Sequence, residues 1–298
     1  MTFIWGTNFS VVKPAFRELD PQAFNAVRMV IASLVFLAIM KIVPRWTTSD
    51  IFSTPAPITR RDWLAIAALG VVGHAFYQYF FIGGLALTSV ANSSLLLAAT
   101  PVVIAILSAA LGQDRIAPLH WVGAAMSLAG IYIIVTFAGG GVSIGSSTLR
   151  GDLMMFGGVT CWAIYTLGSR PLMERHSPVG VTGLSMAIGS ALYVPVMMPN
   201  VLAANWGNVS LRTWVALMYS ALFALCVAYT IWYVAVREIG SARTSVYSNV
   251  VPIVAMLTAV VFLGERLGPA RLLGAGLVLV GVALTRVGRS APVIPCEE

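Results

Sequence analysis

Four residues on one predicted helical face have the chemistry to bind a small molecule. Side chains at i, i+3, i+4 and i+7 lie on the same side of a helix. The residues at this spacing are His74, Tyr77, Gln78 and Phe81. The imidazole and the amide can form hydrogen bonds, the rings supply apolar contact, and an imidazole can change its charge near neutral pH. This face could bind an amphipathic ligand, or it could simply pack against neighbouring helices.

Aromatic residues on two further predicted helices extend this chemistry. Tyr229, Trp232 and Tyr233 share one helical face. Trp162 and Tyr165 lie well inside another helix. Such rings combine a broad apolar surface with a hydroxyl or N–H group, which suits the side chain of a neutral or aromatic amino acid. The competing interpretation is a belt of aromatic residues at the surface of a membrane.

A zwitterionic ligand also needs groups that bind its carboxylate and its ammonium. Asn8, Gln78 and Asn249 could supply amide donors and acceptors. Ser245 lies one helical turn before Asn249 and adds a hydroxyl. All four could instead form hydrogen bonds between helices. Arg28 could bind a carboxylate, but its long aliphatic stem favours the alternative that its guanidinium reaches the membrane surface.

The composition indicates which elements must position these residues. Hydrophobic residues make up 58% of the chain and charged residues 10%, and the mean hydropathy is +0.88. In a soluble domain about a quarter of the residues carry charge. The chain is therefore predicted to be a membrane protein. Its apolar runs are continuous and lack the alternation of a membrane strand, so that helices are favoured over a barrel.

Charges, prolines and glycines divide the chain into ten apolar segments, and a membrane-spanning helix needs roughly 20 apolar residues. The predicted fold class is thus an all-α membrane protein with ten transmembrane helices. The predicted helices are 1–13, 22–43, 63–87, 91–111, 119–137, 152–172, 178–199, 213–236, 243–263 and 270–288.

The two halves of the sequence match each other. An offset of 151 residues aligns 62–136 with the second half and pairs Pro101 with Pro252. Nearer the start, an offset of 157 residues pairs Trp5 with Trp162. Because each half would hold an odd number of helices, the second half must run opposite to the first. This predicts two inverted five-helix repeats, an arrangement typical of carriers.

The predicted organisation has four parts. The first five-helix repeat covers 1–137, a linker covers 138–150, the second repeat covers 151–288 and a tail covers 289–298. If the N-terminus is inside, the inner loops and the tail hold most of the Lys and Arg residues. Since cytoplasmic loops carry the excess of these residues, both termini are predicted to be cytoplasmic.

Several classes of function are disfavoured by the charges and the cysteines. The net charge of +7 comes from basic residues scattered as loop anchors, which argues against a nucleic-acid partner. Cys161, Cys226 and Cys296 lack metal-ligand spacing, and no metal, cofactor or catalytic constellation is expected. Every acidic residue lies at a helix end, in a turn or in the tail, which disfavours proton-coupled export of cationic drugs. The alternatives that remain are facilitated exchange of the substrate and transport coupled to protonation of His74. The lack of several central Lys or Arg residues disfavours phosphate exchange.

Three stretches of the sequence resemble a known family. They are "FIWGTNFSVVKPAF" near the start, "SNVVPIVAMLTAVVFLGERLGP" in the second half, and the glycine-spaced final helix. Together they resemble the EamA-type carriers of the drug/metabolite transporter superfamily, over nearly the whole chain. The resemblance implies alternating access around a cavity lined by the first, third, fourth, sixth, eighth and ninth helices. It also implies the inner (plasma) membrane of a bacterium as the location.

Within that family, the aromatic-rich helices and the absence of a polar anion site make the chain look most like a bacterial exporter of aromatic and other neutral amino acids. The expected partners are then a neutral or aromatic amino acid as substrate and the lipid bilayer, while the oligomeric state stays open. The alternative is an exporter of drugs or other hydrophobic metabolites. A membrane-embedded enzyme and a channel are less favoured, because the sequence offers neither a catalytic constellation nor a continuous polar lining.

Overall fold

The computed structural model is helical. It describes residues 1–53, 56–87, 96–113, 116–135, 146–254, 257–258 and 268–287, and within these ranges no residue lies in a strand. The predicted all-α fold class is therefore confirmed for the described part of the chain. The predicted tail and most of the predicted linker lie outside the described residues.

Each of the ten apolar segments predicted from the sequence contains helical residues, and we number the corresponding helices in chain order. They are α1 (Thr2–Val12), α2 (Pro21–Ile42), α3 (Arg60–Leu87), α4 (Thr100–Ala110), α5 (Pro118–Val135), α6 (Ser146–Met173), α7 (Pro178–Val196), α8 (Leu211–Ile239), α9 (Ser241–Val246) and α10 (Pro269–Val287). A 3₁₀ turn, Tyr247–Val250, directly follows α9. The start of α6 precedes the predicted start at residue 152.

Four of these helices, α2, α3, α7 and α8, are long and apolar enough to cross a membrane. Shorter apolar helices cover Leu96–Ala110, Pro118–Ile133 and Leu272–Leu284. Large apolar side chains such as Leu34 and Leu153 are exposed, as expected where a helix faces lipid rather than water. The protein is thus a multi-pass membrane protein, while the ten-helix inverted repeat stays a prediction.

Polar side chains fix the points at which the long helices begin. The Asp20 carboxylate accepts main-chain N–H groups at the start of α2, and the Ser177 hydroxyl does the same at the start of α7. Thr59 and Asp62 form a reciprocal capping box on α3, and Ser210 caps α8. A cap satisfies main-chain N–H groups that the first helical turn leaves unpaired. These caps lie at matching positions in the two halves.

Two of the long helices contain a π-helical turn. The turns are Val71–Phe76 in α3 and Ser220–Val227 in α8. The offset of 151 residues carries Val71–Phe76 onto residues 222–227, so that the two turns also match. A π-helical turn interrupts the regular hydrogen-bond ladder and changes the direction in which the following side chains point. Regular α-helix resumes at Tyr77 in α3 and at Ala228 in α8.

Residues that the sequence offsets pair with each other also meet in space. The hydroxyls of Ser33 and Ser190, which differ by 157 positions, are hydrogen-bonded at 2.8 Å across α2 and α7. In α5 and α10, Gly130 packs on the Gly274 carbonyl and Gly281 packs on the Gly123 carbonyl. Such reciprocal contacts are typical of two similar halves related by a two-fold axis.

Loops between the long helices are tied together by charged groups. The Asp62 carboxylate pairs with Arg175 and accepts from His176, at 3.1 Å, just before α7 begins. Arg237, near the end of α8, pairs with Asp50 at 3.2 Å. These contacts join the start of α3 to the segment between α6 and α7, and the loop between α2 and α3 to the end of α8.

Glu18 makes a comparable tie between the loop that precedes α2 and the start of α8. Its carboxylate accepts the Ser210 main-chain N–H at 2.9 Å and the Ser210 hydroxyl at 2.9 Å. The main-chain hydrogen bond, followed by the side-chain hydrogen bonds from Thr213 and Ser210, holds the pKa of the Glu18 carboxyl below its ordinary value.

Glu18→Gln tests this tie through its pH dependence. A carboxyl whose pKa is lower in the folded state stabilises the fold fully above its unfolded-state pKa, and the stabilisation is lost as the pH falls through the folded-state pKa. We therefore expect the variant to have a lower Tm than the wild type near neutral pH, and the two to converge in acid. A Tm difference that does not change with pH would contradict a role for the Glu18 charge.

Gly281→Ala tests the close packing of α5 and α10. A Cβ at this position would overlap the Gly123 carbonyl and the Ser127 side chain. We expect a loss of about 1–3 kcal/mol of stability, because backbone atoms cannot move aside cheaply. The measurement is thermal unfolding in detergent.

Gly276→Ala is the matched control on the same helix. A Cβ at Gly276 meets no atom within 4 Å. Alanine also favours helix over glycine by about 1 kcal/mol, so that this variant should be as stable as the wild type or more so. Equal losses in both variants would show that the Gly281 contact is not specific.

Candidate substrate-binding site

Aromatic side chains of α1, α3, α6 and α8 meet in the largest group of buried residues that the structure describes. We call these rings the aromatic cluster. Its members are Trp5, His74, Tyr77, Phe81, Trp162, Tyr165, Tyr229, Trp232 and Tyr233. The first four come from the first half of the chain and the others from the second.

Trp162 has the most ring neighbours in the aromatic cluster. Its ring centroid lies 5.1 Å from that of Tyr229 and 5.2 Å from that of Tyr77. The rings of Trp232 and Trp5 lie 5.6 Å and 6.0 Å away. Most of these pairs are edge-on or tilted, the geometry that aromatic rings prefer. Trp162 is only 7% exposed, so that its ring is a buried contact between the two halves.

A group of hydrogen bonds lies at the edge of the cluster near α7. The Ser185 hydroxyl is 2.6 Å from the Tyr165 hydroxyl and 3.2 Å from His74 Nε2. The rings of His74 and Tyr165 are in contact, with centroids 4.7 Å apart. The π-helical turn of α3 carries His74, and the neighbouring Gly73 leaves no space for a Cβ against the Tyr165 ring. His74 is therefore held by neutral partners.

A second polar group surrounds Arg28 on α2. The guanidinium donates to the Asn25 side-chain oxygen at 2.6 Å, to the Gln78 side-chain oxygen at 2.9 Å and to the Ser220 hydroxyl at 2.9 Å. Arg28 is only 4% exposed. The expectation that its guanidinium reaches the membrane surface is therefore wrong. Neutral oxygens on α3 and α8 hold the cation inside the protein.

Three of the predicted site residues form no described hydrogen bond or ring contact with these groups. Ser245, on α9, donates to the carbonyl of Ala242 within its own helix at 2.8 Å. Asn249 is 1% exposed, and neither of its side-chain amide atoms has a hydrogen-bond partner among the described residues. The same holds for the side-chain oxygen of Asn8. No contact described for the chain joins these three to the aromatic cluster, and their role in binding stays a prediction.

The structure adds residues that sequence reasoning missed. Trp5 contacts the rings of Trp162, Tyr229 and Trp232, and its indole N–H donates to the Ala224 carbonyl at 3.0 Å. The match between Trp5 and Trp162 in the two halves was the signal that could have found it. Ser185 was missed because a serine in an apolar helix has no distinctive spacing.

Comparison with known proteins assigns the family. The model of the EamA-like transporter family matches residues 1–136 and again residues 149–287. The chain belongs to the EamA-like transporter family. Membership of this family supports a membrane transporter rather than an enzyme, and the resemblance to the drug/metabolite transporter superfamily is confirmed.

Related proteins agree with the family. A Bacillus subtilis (strain 168) protein named Uncharacterized transporter YyaM is 26% identical, over 93% of this chain and 88% of its own length. A Streptantibioticus cattleyicolor protein named Probable terminal-alkyne amino-acid exporter is 25% identical, over 75% of this chain and 73% of its own length. A solved crystal structure with 21% identity superposes with a TM-score of 0.79, over 96% of this chain and 93% of that chain. This last likeness shows the fold.

A double-mutant cycle tests whether Tyr165 and Ser185 act as a pair. Tyr165→Phe and Ser185→Ala each remove one side of their buried hydrogen bond, and we expect each to cost about 1–3 kcal/mol because the other hydroxyl is left without its partner. The double variant should cost less than the sum of the two. Strict additivity in thermal unfolding would show that the two hydroxyls do not stabilise each other.

Proposed function

We propose that the protein exports neutral amino acids, aromatic ones included, by alternating access. The observation that carries this proposal is the aromatic cluster. Rings from four helices of both halves converge on Trp162, and they offer apolar surface together with hydroxyl and N–H groups. Such a surface suits a small amphipathic side chain.

The position of the cluster between the halves supports a transport cycle. In carriers built from two repeats, the substrate binds where the repeats meet, and movement of one against the other opens the site to each side in turn. The ring contacts of Trp162 with Tyr77 and Trp5 cross from one half to the other. Movement between the halves would therefore separate these rings and admit a substrate.

The substrate class has support from one relative. The Streptantibioticus cattleyicolor protein is named a probable exporter of an amino acid, the terminal-alkyne kind. We infer a substrate of the same general class for this chain, with a neutral side chain that the aromatic cluster contacts. We also propose the inner membrane of a bacterium as the location, with both termini in the cytoplasm, on the distribution of Lys and Arg.

An exporter of drugs or other hydrophobic metabolites is the second candidate. It is favoured by the apolar character of the cluster, which would bind any flat hydrophobic molecule. The two candidates differ in what they need from the polar groups, because a hydrophobic substrate would not depend on hydrogen bonds to its ends. Competition between amino acids and uncharged aromatic compounds for the same transport therefore separates them.

Counterflow in proteoliposomes tests the proposal directly. Unlabelled amino acids are trapped inside, and the uptake of labelled phenylalanine, methionine and threonine is followed. Uptake that is accelerated by the trapped amino acid supports an amino-acid carrier. Its absence with folded protein, together with exchange of hydrophobic compounds, would favour the second candidate.

Trp162→Ala should weaken transport of phenylalanine more than transport of threonine. The truncation removes apolar contact with the substrate. For the large side chain of phenylalanine this contact is worth about 1–3 kcal/mol, and for the small side chain of threonine it is worth little. The half-maximal concentration for phenylalanine should rise about tenfold or more. An equal loss for both substrates would contradict a side-chain pocket at this position.

Trp63→Ala is the matched control for Trp162→Ala. Trp63 lies in the first turn of α3 and is 45% exposed, outside the aromatic cluster. We expect its truncation to leave the ratio of phenylalanine to threonine transport unchanged. A shift of that ratio as large as the shift in Trp162→Ala would mean that the effect does not report on binding.

A further inference from the structure

We propose that Arg28 is the binding site for the carboxylate of the transported substrate. This inference rests on the proposed function, since it names the group that would receive the charged end of an amino acid. The aromatic cluster would contact the side chain, and the guanidinium would contact the carboxylate. Arg28 would thereby distinguish amino acids from uncharged aromatic compounds.

The first argument is the burial of the Arg28 charge. An arginine side chain stays protonated in proteins. The Arg28 side chain is nonetheless enclosed, and its three described hydrogen bonds go to an asparagine, a glutamine and a serine. The Nε–H has no acceptor among the described residues. The Nε–H and the positive charge of Arg28 are therefore both available to bind a further group.

The second argument is the lack of an anion at this position. Buried charges are ordinarily paired, because taking a charge out of water is unfavourable unless another charge compensates it. Among the described residues, no carboxylate lies within ion-pair distance of Arg28, and the ion pairs of Asp62 and Asp50 lie at helix ends. A substrate carboxylate would supply the missing negative charge. The planar guanidinium also fits a carboxylate with two parallel hydrogen bonds.

The third argument is that Arg28 adjoins the aromatic cluster. Gln78, which accepts a hydrogen bond from Arg28, follows the cluster residue Tyr77 directly in α3. Ser220, which also accepts a hydrogen bond from Arg28, begins the π-helical turn of α8 that precedes Tyr229. A small molecule with its carboxylate at Arg28 would therefore have its side chain beside these rings.

The fourth argument is the difference between the two halves. The offset of 157 residues pairs Arg28 with Ser185, so that a cation in the first half corresponds to a hydroxyl in the second. Ser185 bonds to the neutral side chains of His74 and Tyr165 instead. Of these two matching positions only Arg28 can bind an anion strongly. A zwitterion would thus bind in one orientation.

A purely structural role for Arg28 makes a different prediction. Its hydrogen bonds to Gln78 and Ser220 join α2 to α3 and α8. If they served only to hold these helices together, replacing Arg28 would impair transport of every substrate by a similar factor. Recognition of a carboxylate instead predicts a change in the preference between substrates that differ in that group alone.

The experiment compares phenylalanine with phenylalaninamide, in which a neutral amide replaces the carboxylate. The full chain is reconstituted in proteoliposomes, and each compound competes for counterflow of labelled phenylalanine. The wild type should prefer phenylalanine by about tenfold or more. In Arg28→Gln this preference should fall to less than about threefold. In Arg28→Lys the preference should persist while the half-maximal concentration for phenylalanine rises, because a lysine keeps the charge but not the fork of donors.

Ser33→Ala is the matched control. It removes another buried hydrogen bond between helices, from Ser33 on α2 to Ser190 on α7, and Ser33 shares no described hydrogen bond with Arg28 or its three partners. We expect its preference for phenylalanine over the amide to equal that of the wild type. Thermal unfolding in detergent establishes that each variant is folded. If Arg28→Gln is unfolded, Arg28→Lys decides, and an unchanged half-maximal concentration for phenylalanine would then overturn the proposal.

The outcomes separate this inference from the proposed function. If the wild type exchanges amino acids but accepts phenylalaninamide equally well, the carboxylate site is overturned while amino-acid transport stands. A folded Arg28→Gln variant that keeps the full preference also overturns the site. If folded wild-type protein exchanges no amino acid at all, the proposed function fails, and the assignment of Arg28 fails with it.

Discussion

Polar groups inside a membrane protein must find their partners within the protein, because the hydrocarbon offers none. The hydrogen bonds between α2 and its neighbours follow from this constraint. Ser33 bonds to Ser190, and the guanidinium of Arg28 bonds to oxygens of α3 and α8. Each of these bonds fixes one helix against another where apolar packing alone would allow several arrangements. The aromatic cluster can have a defined geometry because the helices that carry it are held in this way.

Small residues supply the other part of this arrangement. Gly73 lets the Tyr165 ring lie directly against α3, and Gly189 lets α7 approach the backbone of α3 near His74. Small residues let two helices approach closely, and in lipid such close packing is a main source of association between helices. The close approach brings Ser185 within hydrogen-bonding distance of both His74 and Tyr165.

The two halves share the same helix packing but differ in some of the side chains that their helices carry. Matching π-helical turns in α3 and α8 and reciprocal glycine contacts between α5 and α10 repeat the same packing twice. Not every side chain near the centre repeats, since Arg28 is paired with Ser185 in sequence. A duplicated scaffold supplies the movement between two arrangements that transport needs. Under the proposed function, this difference between the halves would allow the centre to recognise the two ends of one molecule.

The sequence by itself determined that the chain is helical and membrane-embedded, where its helices lie, and which faces carry the aromatic residues. Composition and apolar run length fix these properties locally, which is why each predicted segment contains helical residues. Periodicity also grouped Tyr229, Trp232 and Tyr233 correctly on one face. Only the tertiary structure decided that Trp5 joins the cluster and that Arg28 points inward rather than toward the membrane surface. The physical reason is that a spacing pattern gives the side of a helix on which a residue lies, whereas the group that it meets belongs to a helix distant in sequence. For Arg28 those groups are Gln78 and Ser220, and no local pattern relates them.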